Sequence, residues 1–161
     1  NRWCILTPSK NVPIEIIKKV KFFWEQLGSN VVEMNAKHHD LVLSVTSHAP
    51  HLIAFTMVGV ADEFSKVTNS EVINYSAAGF RDFTRLAASD PIMWRDIFLN
   101  NKDAALEILG RFTEELFTLQ KAIRKKDGKY LLKYFERTRK IRRSIISAGQ
   151  DTAEPNFGRK E

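Results

Sequence analysis

Apolar positions follow two different periods along the chain. Residues 3–7 (WCILT) form a short, almost wholly apolar run, which reads as a buried strand ended by Pro8. Ile16, Val20, Phe23 and Leu27 then recur at helical spacing. Asn11 is the expected cap of that helix, Pro13 falls in its first turn, and Gly28 is its stop. Val31, Val32 and Met34 predict a second strand. Strand, helix, strand is a β-α-β fragment. Two strands do not make a stable sheet alone, so residues 1–34 read as the remnant of an upstream Rossmann-type α/β domain.

From Asn35 onward the period is helical. Asn35 is the predicted cap of a long helix in which Leu41, Val45, His48, Leu52 and Phe55 follow 4-3-4-3 spacing. Pro50 falls inside this pattern and predicts a kink between His48 and His51. A polar cluster at Ser65, Thr68, Asn69 and Ser70 is the next expected break, and residues 72–78 are ambiguous. Farther on, Ala105, Ile108, Leu109, Phe112, Leu116, Leu119 and Ile123 form one wide apolar stripe. Leu131, Tyr134, Phe135, Thr138, Ile141 and Ile145 form a second, across a turn at Asp127-Gly128. These are the two arms of an αα-hairpin. The predicted fold is therefore mainly α: a helical unit at residues 35–148, preceded by the β-α-β remnant at 1–34 and followed by a polar tail at 149–161.

The stretch 79–97 (GFRDFTRLAASDPIMWRDI) breaks the simple helical pattern. Phe80, Phe83 and Leu86 alternate with Arg81, Asp82 and Arg85, so charge lies on both sides of an apolar row. Asp90 suits a helix N-cap and Pro91 the first helical position, where a missing N–H costs nothing. A new helix is predicted from Ile92 to about Asn100, with another beginning at Asn101. Arg85 then sits on a short segment between two helices, a suitable place for a cation that meets an anionic ligand.

Composition changes the picture in two places. Hydrophobic residues at 43% and charged residues at 27% are ordinary for a globular protein, and the one cysteine, Cys4, excludes an internal disulfide framework. The longest apolar run, Leu52 to Ala61, is too short to cross a bilayer. The net charge of +6 belongs to one segment: Lys121 to Arg143 holds eleven Lys or Arg against two acidic residues. Such a run suits a nucleic-acid surface. It equally suits the solvated face of two helices, which the strict helical spacing of its apolar positions favours.

Among polar residues, Ser47, His48 and His51 stand out. His48 and His51 are three apart and share one helical face. They suit hydrogen bonding to an anion or acid–base work. A metal would need further ligands, and no acidic cluster accompanies His38 and His39. Arg85 reads either as a weak surface ion pair with Asp82 or as a carboxylate clamp, for which the planar guanidinium fork is suited. Trp94 reads first as core. No glycine pair is spaced for a dinucleotide loop.

Three motifs carry a family resemblance. FRDFTRLAASDPIMWRDI, the pair His39-Asp40 followed by Ser47-His48-Ala49-Pro50-His51, and the opening Trp3-Cys4-Ile5-Leu6-Thr7-Pro8 together resemble the prephenate dehydrogenases, a group that includes cyclohexadienyl and arogenate dehydrogenases. The match covers nearly the whole chain, in order. It implies the C-terminal helical dimerisation domain of an NAD- or NADP-dependent enzyme of tyrosine biosynthesis. Such enzymes oxidatively decarboxylate prephenate or arogenate, giving 4-hydroxyphenylpyruvate or tyrosine. The resemblance implies that Arg85 holds a substrate carboxylate and that His51 lines the substrate end of the pocket, where tyrosine binds as inhibitor. Ser47 and His48 would lie close by, with Asp82, Asp40 and Trp94 supporting them from behind. The glycine-rich loop and the hydride-transfer histidine of the family lie upstream of the match. The cofactor would be held mainly there, so no catalytic residue is expected here and these residues alone are expected to be inactive.

The resemblance further implies a cytoplasmic homodimer formed through the two apolar stripes, without nucleic acid or membrane. Two other readings fit the residues. One is a non-catalytic helical module that dimerises or senses tyrosine. The other is a nucleic-acid-binding helical protein working through Lys121 to Arg143.

Overall fold

A computed structural model describes residues 2–67 and 74–147. The element order is β1 (Arg2–Leu6), α1 (Ile14–Gln26), β2 (Ser29–Glu33), α2 (Ala36–Leu43), a π-helical turn (Ser44–His48), α3 (Ala49–Val67), α4 (Ala78–Thr84), a 3-10 turn (Arg85–Ala88), α5 (Pro91–Asn100), α6 (Lys102–Arg124) and α7 (Gly128–Ser147). The architecture is mainly α with one two-stranded sheet, as the apolar periods predict. The expected break at Thr68, Asn69 and Ser70 and the tail at 149–161 lie outside the described residues, whereas Ser65 is still within α3.

The β-α-β unit forms as expected. β1 and β2 pair in parallel, Cys4 opposite Val31 and Ile5 opposite Val32, with α1 packed on β2. Gly28 ends α1 at φ +81°, a conformation that glycine adopts without strain. The predicted cap is a correction. Pro13, not Asn11, occupies the cap position, and no side chain caps α1. Residues 9–12 close a turn of their own through Val12 N–H to Ser9 O (3.1 Å), which leaves Asn11 one turn too early.

Asn35 caps α2 as predicted, its side chain accepting from Lys37 N–H at 2.8 Å. The Pro50 irregularity lies a turn earlier than expected. It takes the form of the π turn at Ser44–His48, from which α3 continues through Pro50. A π turn adds one residue to the coil and shifts every later side chain around the axis. The 4-3-4-3 row is therefore interrupted. His48, Leu52 and Phe55 are half-buried while Leu41 and Val45 are exposed, and Ser44 is fully enclosed. Residues 36–64 form one continuous helical stretch of 29 residues. By length and composition alone it could cross a membrane, unlike the apolar run within it. Its polar row packs on other protein elements, as described below.

Asp90 caps α5 as predicted: Oδ1 accepts from Ile92 N–H at 2.8 Å and from Met93 N–H at 2.9 Å. Such a cap contributes about 1 kcal/mol. The 3-10 turn before it packs on α3 and carries Arg85 between α4 and α5. The αα-hairpin forms from α6 and α7. The turn falls at the expected place; its left-handed residue is Lys126 (φ 53°), and Gly128 opens α7. Asp127 accepts from Tyr130 N–H at 3.0 Å and holds that start. The cations between Lys121 and Arg143 are exposed, as on a solvated helix face.

The enclosed core is small. Among the described residues Ala54, Ala61, Trp94 and Ala122 are the buried apolar side chains. The accessible surface is 13017 Å², whereas a compact monomer of this mass exposes about 8,200 Å². Many large apolar side chains are exposed. Leu116, Phe117 and Ile123 on α6 and Leu132, Phe135 and Ile141 on α7 are all about half exposed or more. Exposed apolar side chains in this number suit a protein interface. The chain is expected to run at twice 18.5 kDa in analytical ultracentrifugation, and Phe117→Asp with Leu132→Asp to shift it toward monomer. A monomeric parent chain would count against the hairpin as the interface.

Candidate functional site

The helical part brings its two polar motifs together. α2, the π turn and the start of α3 carry His39, Asp40, Ser47, His48 and His51; the 3-10 turn and α5 carry Arg85 and Trp94. The His51 ring stacks on the Trp94 indole, with centroids 3.8 Å apart and planes 24° from parallel. His48 meets the same indole edge-on at 6.2 Å, and Phe98 at 6.4 Å. Trp94 is thus buried, as its first sequence reading held, with the two histidines of the other motif and Phe98 against its ring. Its Nε1 is buried without a hydrogen-bond partner. An unsatisfied buried donor is costly, so this N–H is suited to an acceptor supplied by a ligand.

The histidines are fixed by hydrogen bonds on their own helix and across to α6. His51 Nδ1 donates to the Ser47 carbonyl at 2.8 Å. Asn101, at the junction of α5 and α6, places its side-chain nitrogen 2.9 Å from the Asp40 carbonyl, 3.0 Å from Ser44 Oγ and 3.2 Å from His48 Nδ1. Asn101 reads in the sequence only as a helix start, and its side chain caps nothing. The amide's role was invisible because its partners lie 53 to 61 residues away. Asp40 also meets His39 Nδ1 at 3.0 Å through its carboxylate.

Arg85 is exposed, and among the described residues its guanidinium has no ion-pair or hydrogen-bond partner. The Asp82 pairing considered from spacing does not form. An exposed, unpaired guanidinium on a turn packed against α3 remains available to an anion. Ser47 contributes its backbone carbonyl, through the His51 contact, whereas no contact ties Asp82 to the histidines. A cleft of about 610 Å³ opens beside this cluster, lined by Lys37, Asp40, Asn101, Lys102 and Glu107 among others. It touches the cluster only at Asp40 and Asn101. The described residues offer no glycine cradle for a dinucleotide, so they do not fit that cofactor.

Burial holds His48 below the ordinary imidazole value; His39 and His51 add to this, and Asp40 opposes it. The folded chain therefore keeps His48 neutral where the unfolded chain, at about 6.5, takes up a proton. Stability from this group is present above the unfolded value and is lost as pH falls through the lower folded value. Urea midpoints are expected to fall between pH 7.5 and 5.5, and less so in His48→Asn. An unchanged pH dependence in that variant would remove His48 as the cause.

The chain as a whole is similar to known proteins. A family model described as the prephenate dehydrogenase dimerization domain matches residues 35–137. The chain is 41% identical over 141 residues to a cyclohexadienyl dehydrogenase of Zymomonas mobilis, covering 88% of this chain and 48% of that protein. It is 34% identical over 157 residues to a prephenate dehydrogenase of Bacillus subtilis, covering 98% of this chain and 42% of that one. The crystal structure of prephenate dehydrogenase from Aquifex aeolicus with hydroxyphenyl propionate and NAD+ superimposes with a TM-score of 0.84 at 38% identity, over 89% of this chain and 50% of that one. A Synechocystis arogenate dehydrogenase, at 20% identity and a TM-score of 0.76, shares the fold. The chain spans about half the length of the relatives it matches. With its helical part matched from Asn35 to Arg137, the chain belongs to the prephenate dehydrogenase family.

Proposed function

We propose that these residues form the substrate-binding and dimerising part of a cytoplasmic NAD- or NADP-dependent dehydrogenase acting on prephenate or arogenate. The observation that carries this reading is the stacking of His51 on Trp94, which unites motifs about forty residues apart around a buried, unsatisfied N–H. Residues 1–34, whose two parallel strands need neighbours, belong with a nucleotide-binding unit; residues 35–148 are the helical unit. The dinucleotide accepts the hydride and is held by residues outside those described.

The chain's own task is to bind and orient an anion. Arg85 suits a carboxylate, since its planar fork donates two parallel bonds to the two oxygens. The Trp94 N–H donates to a second acceptor, and the histidines present polar ring edges beside it. Holding the substrate in one orientation brings its ring carbon to the dinucleotide, and aromatisation on loss of carbon dioxide drives the reaction forward. Asp40 restrains His39, and Ser47 acts through its carbonyl. Asp82, for which no such contact is seen, keeps only the supporting role that the family resemblance implies. Tyrosine, which shares the ring and a carboxylate, would compete at the same place, and its loss of affinity in His51→Ala by calorimetry would test that.

Arg85→Ala is expected to weaken prephenate binding by ten- to a hundred-fold, since a hydrogen bond to a charged group contributes about 1.5–3 kcal/mol. Arg85→Lys should restore only part, because lysine lacks the fork. Calorimetric titration of the full chain, and KM in an enzyme carrying the same change, are the measurements. Unaltered affinity in both variants would exclude the clamp. Trp94→Phe keeps an aromatic face for His51 but removes the N–H; about a ten-fold loss of affinity is expected, with little change in the thermal midpoint. A variant that binds as the parent does would show that Trp94 serves packing alone.

A further inference from the structure

We infer that Asn101 and the Ser47 carbonyl hold His48 and His51 in opposite neutral tautomers, so that the pair offers the ligand site one N–H donor and one lone pair. The argument rests on groups that can only accept. A backbone carbonyl has no hydrogen to give. His51 Nδ1, 2.8 Å from the Ser47 carbonyl, must therefore carry its proton there, and in the neutral ring Nε2 keeps a lone pair.

His48 is set the other way. The Asn101 amide can be turned about its bond, but only its NH2 group can face the Asp40 carbonyl at 2.9 Å. That same nitrogen faces His48 Nδ1 at 3.2 Å. Two donors do not face each other, so Nδ1 of His48 is the acceptor and its proton sits on Nε2. Ser44 Oγ, fully buried and 3.0 Å from the same nitrogen, completes the set. Among the described residues neither ring has a partner at Nε2; their other contacts are ring to ring, with Trp94 and Phe98.

Asn101 is thus a positioning residue that acts through His48. The consequence for recognition rests on the substrate reading above; the tautomers do not. An ionised carboxylate suits the His48 N–H but is repelled by the His51 lone pair, so anion charge falls to Arg85. The His51 edge suits a ligand atom that carries a hydrogen, such as a hydroxyl or an ammonium. The charged and titratable groups around the pair are His39, Asp40 and the two histidines themselves.

The test is a long-range 1H–15N correlation spectrum of the full 15N-labelled chain at pH 7.5, with the rings assigned by H48Q and H51Q. The expected result is an Nε2–H pattern for His48 and an Nδ1–H pattern for His51. The reverse pattern in either ring, or averaging between the two, would overturn the inference. In Asn101→Asp the carboxylate replaces the donor, and His48 is expected to move its proton to Nδ1 and to titrate at higher pH, with His51 unmoved. Asn101→Ala removes the donor without adding charge and should leave His48 averaging. A folded variant of either kind with an unchanged His48 pattern would exclude Asn101 as the determinant. Should both variants unfold, the parent spectrum still decides the tautomers. A chain that shows both tautomers but binds no prephenate would sink the functional reading alone.

Discussion

The Asn101 carboxamide is the junction on which the polar side of the helical part depends. It has two hydrogens and meets three acceptors, all on α2 and the π turn. Asp40 O, Ser44 Oγ and His48 Nδ1 reach one point because the π turn adds a residue between them. In a regular α-helix residues 40, 44 and 48 drift about 40° around the axis at each step, and the wider π turn offsets part of that drift. Ser44 is consequently the fully buried polar side chain of the described residues, satisfied by this amide. A lost partner there would leave a buried hydroxyl unpaired, so the junction is costly to break.

Around that junction the geometry of the site follows. With His48 held by α6, the next helical step brings His51 onto the face of Trp94, and α5 is positioned by the Asp90 cap at its start. Rigid elements therefore supply each aromatic and imidazole group, while Arg85 comes from a short turn with its cation exposed. The oriented histidines and the exposed guanidinium are the groups on which the proposed anion binding rests. The same economy explains the thin core. Helices that use one face for a site and another for a neighbour have little left to bury among themselves, and three of the four enclosed apolar side chains among the described residues are alanines.

Local structure was legible in the sequence wherever it depended on a few consecutive residues. The caps at Asn35 and Asp90 and the stop at Gly28 arise from conformation and bonds within a few positions, and the hairpin stripes and the β-α-β order follow from the apolar periods. The motif residues His48, His51, Arg85 and Trp94 stood out by type and spacing. What stayed hidden were long-range facts. Asn11 reads as a cap, yet the turn at residues 9–12 decides otherwise; Pro50 reads as a kink, yet the coil relieves it one turn earlier by a π turn.

By itself the chain determined its mainly helical class, its element order and the two motifs that carry the family signature, because those properties follow from periodicity and short-range hydrogen bonding. Only the tertiary structure decided that Trp94 packs against the two histidines of the other motif. The same holds for the Arg85 guanidinium, which does not bond Asp82, and for Asn101, which governs His48. Each of the Trp94 and Asn101 contacts is a meeting between residues some forty to sixty positions apart. Its geometry is set by how helices cross, and no local pattern of side chains records that.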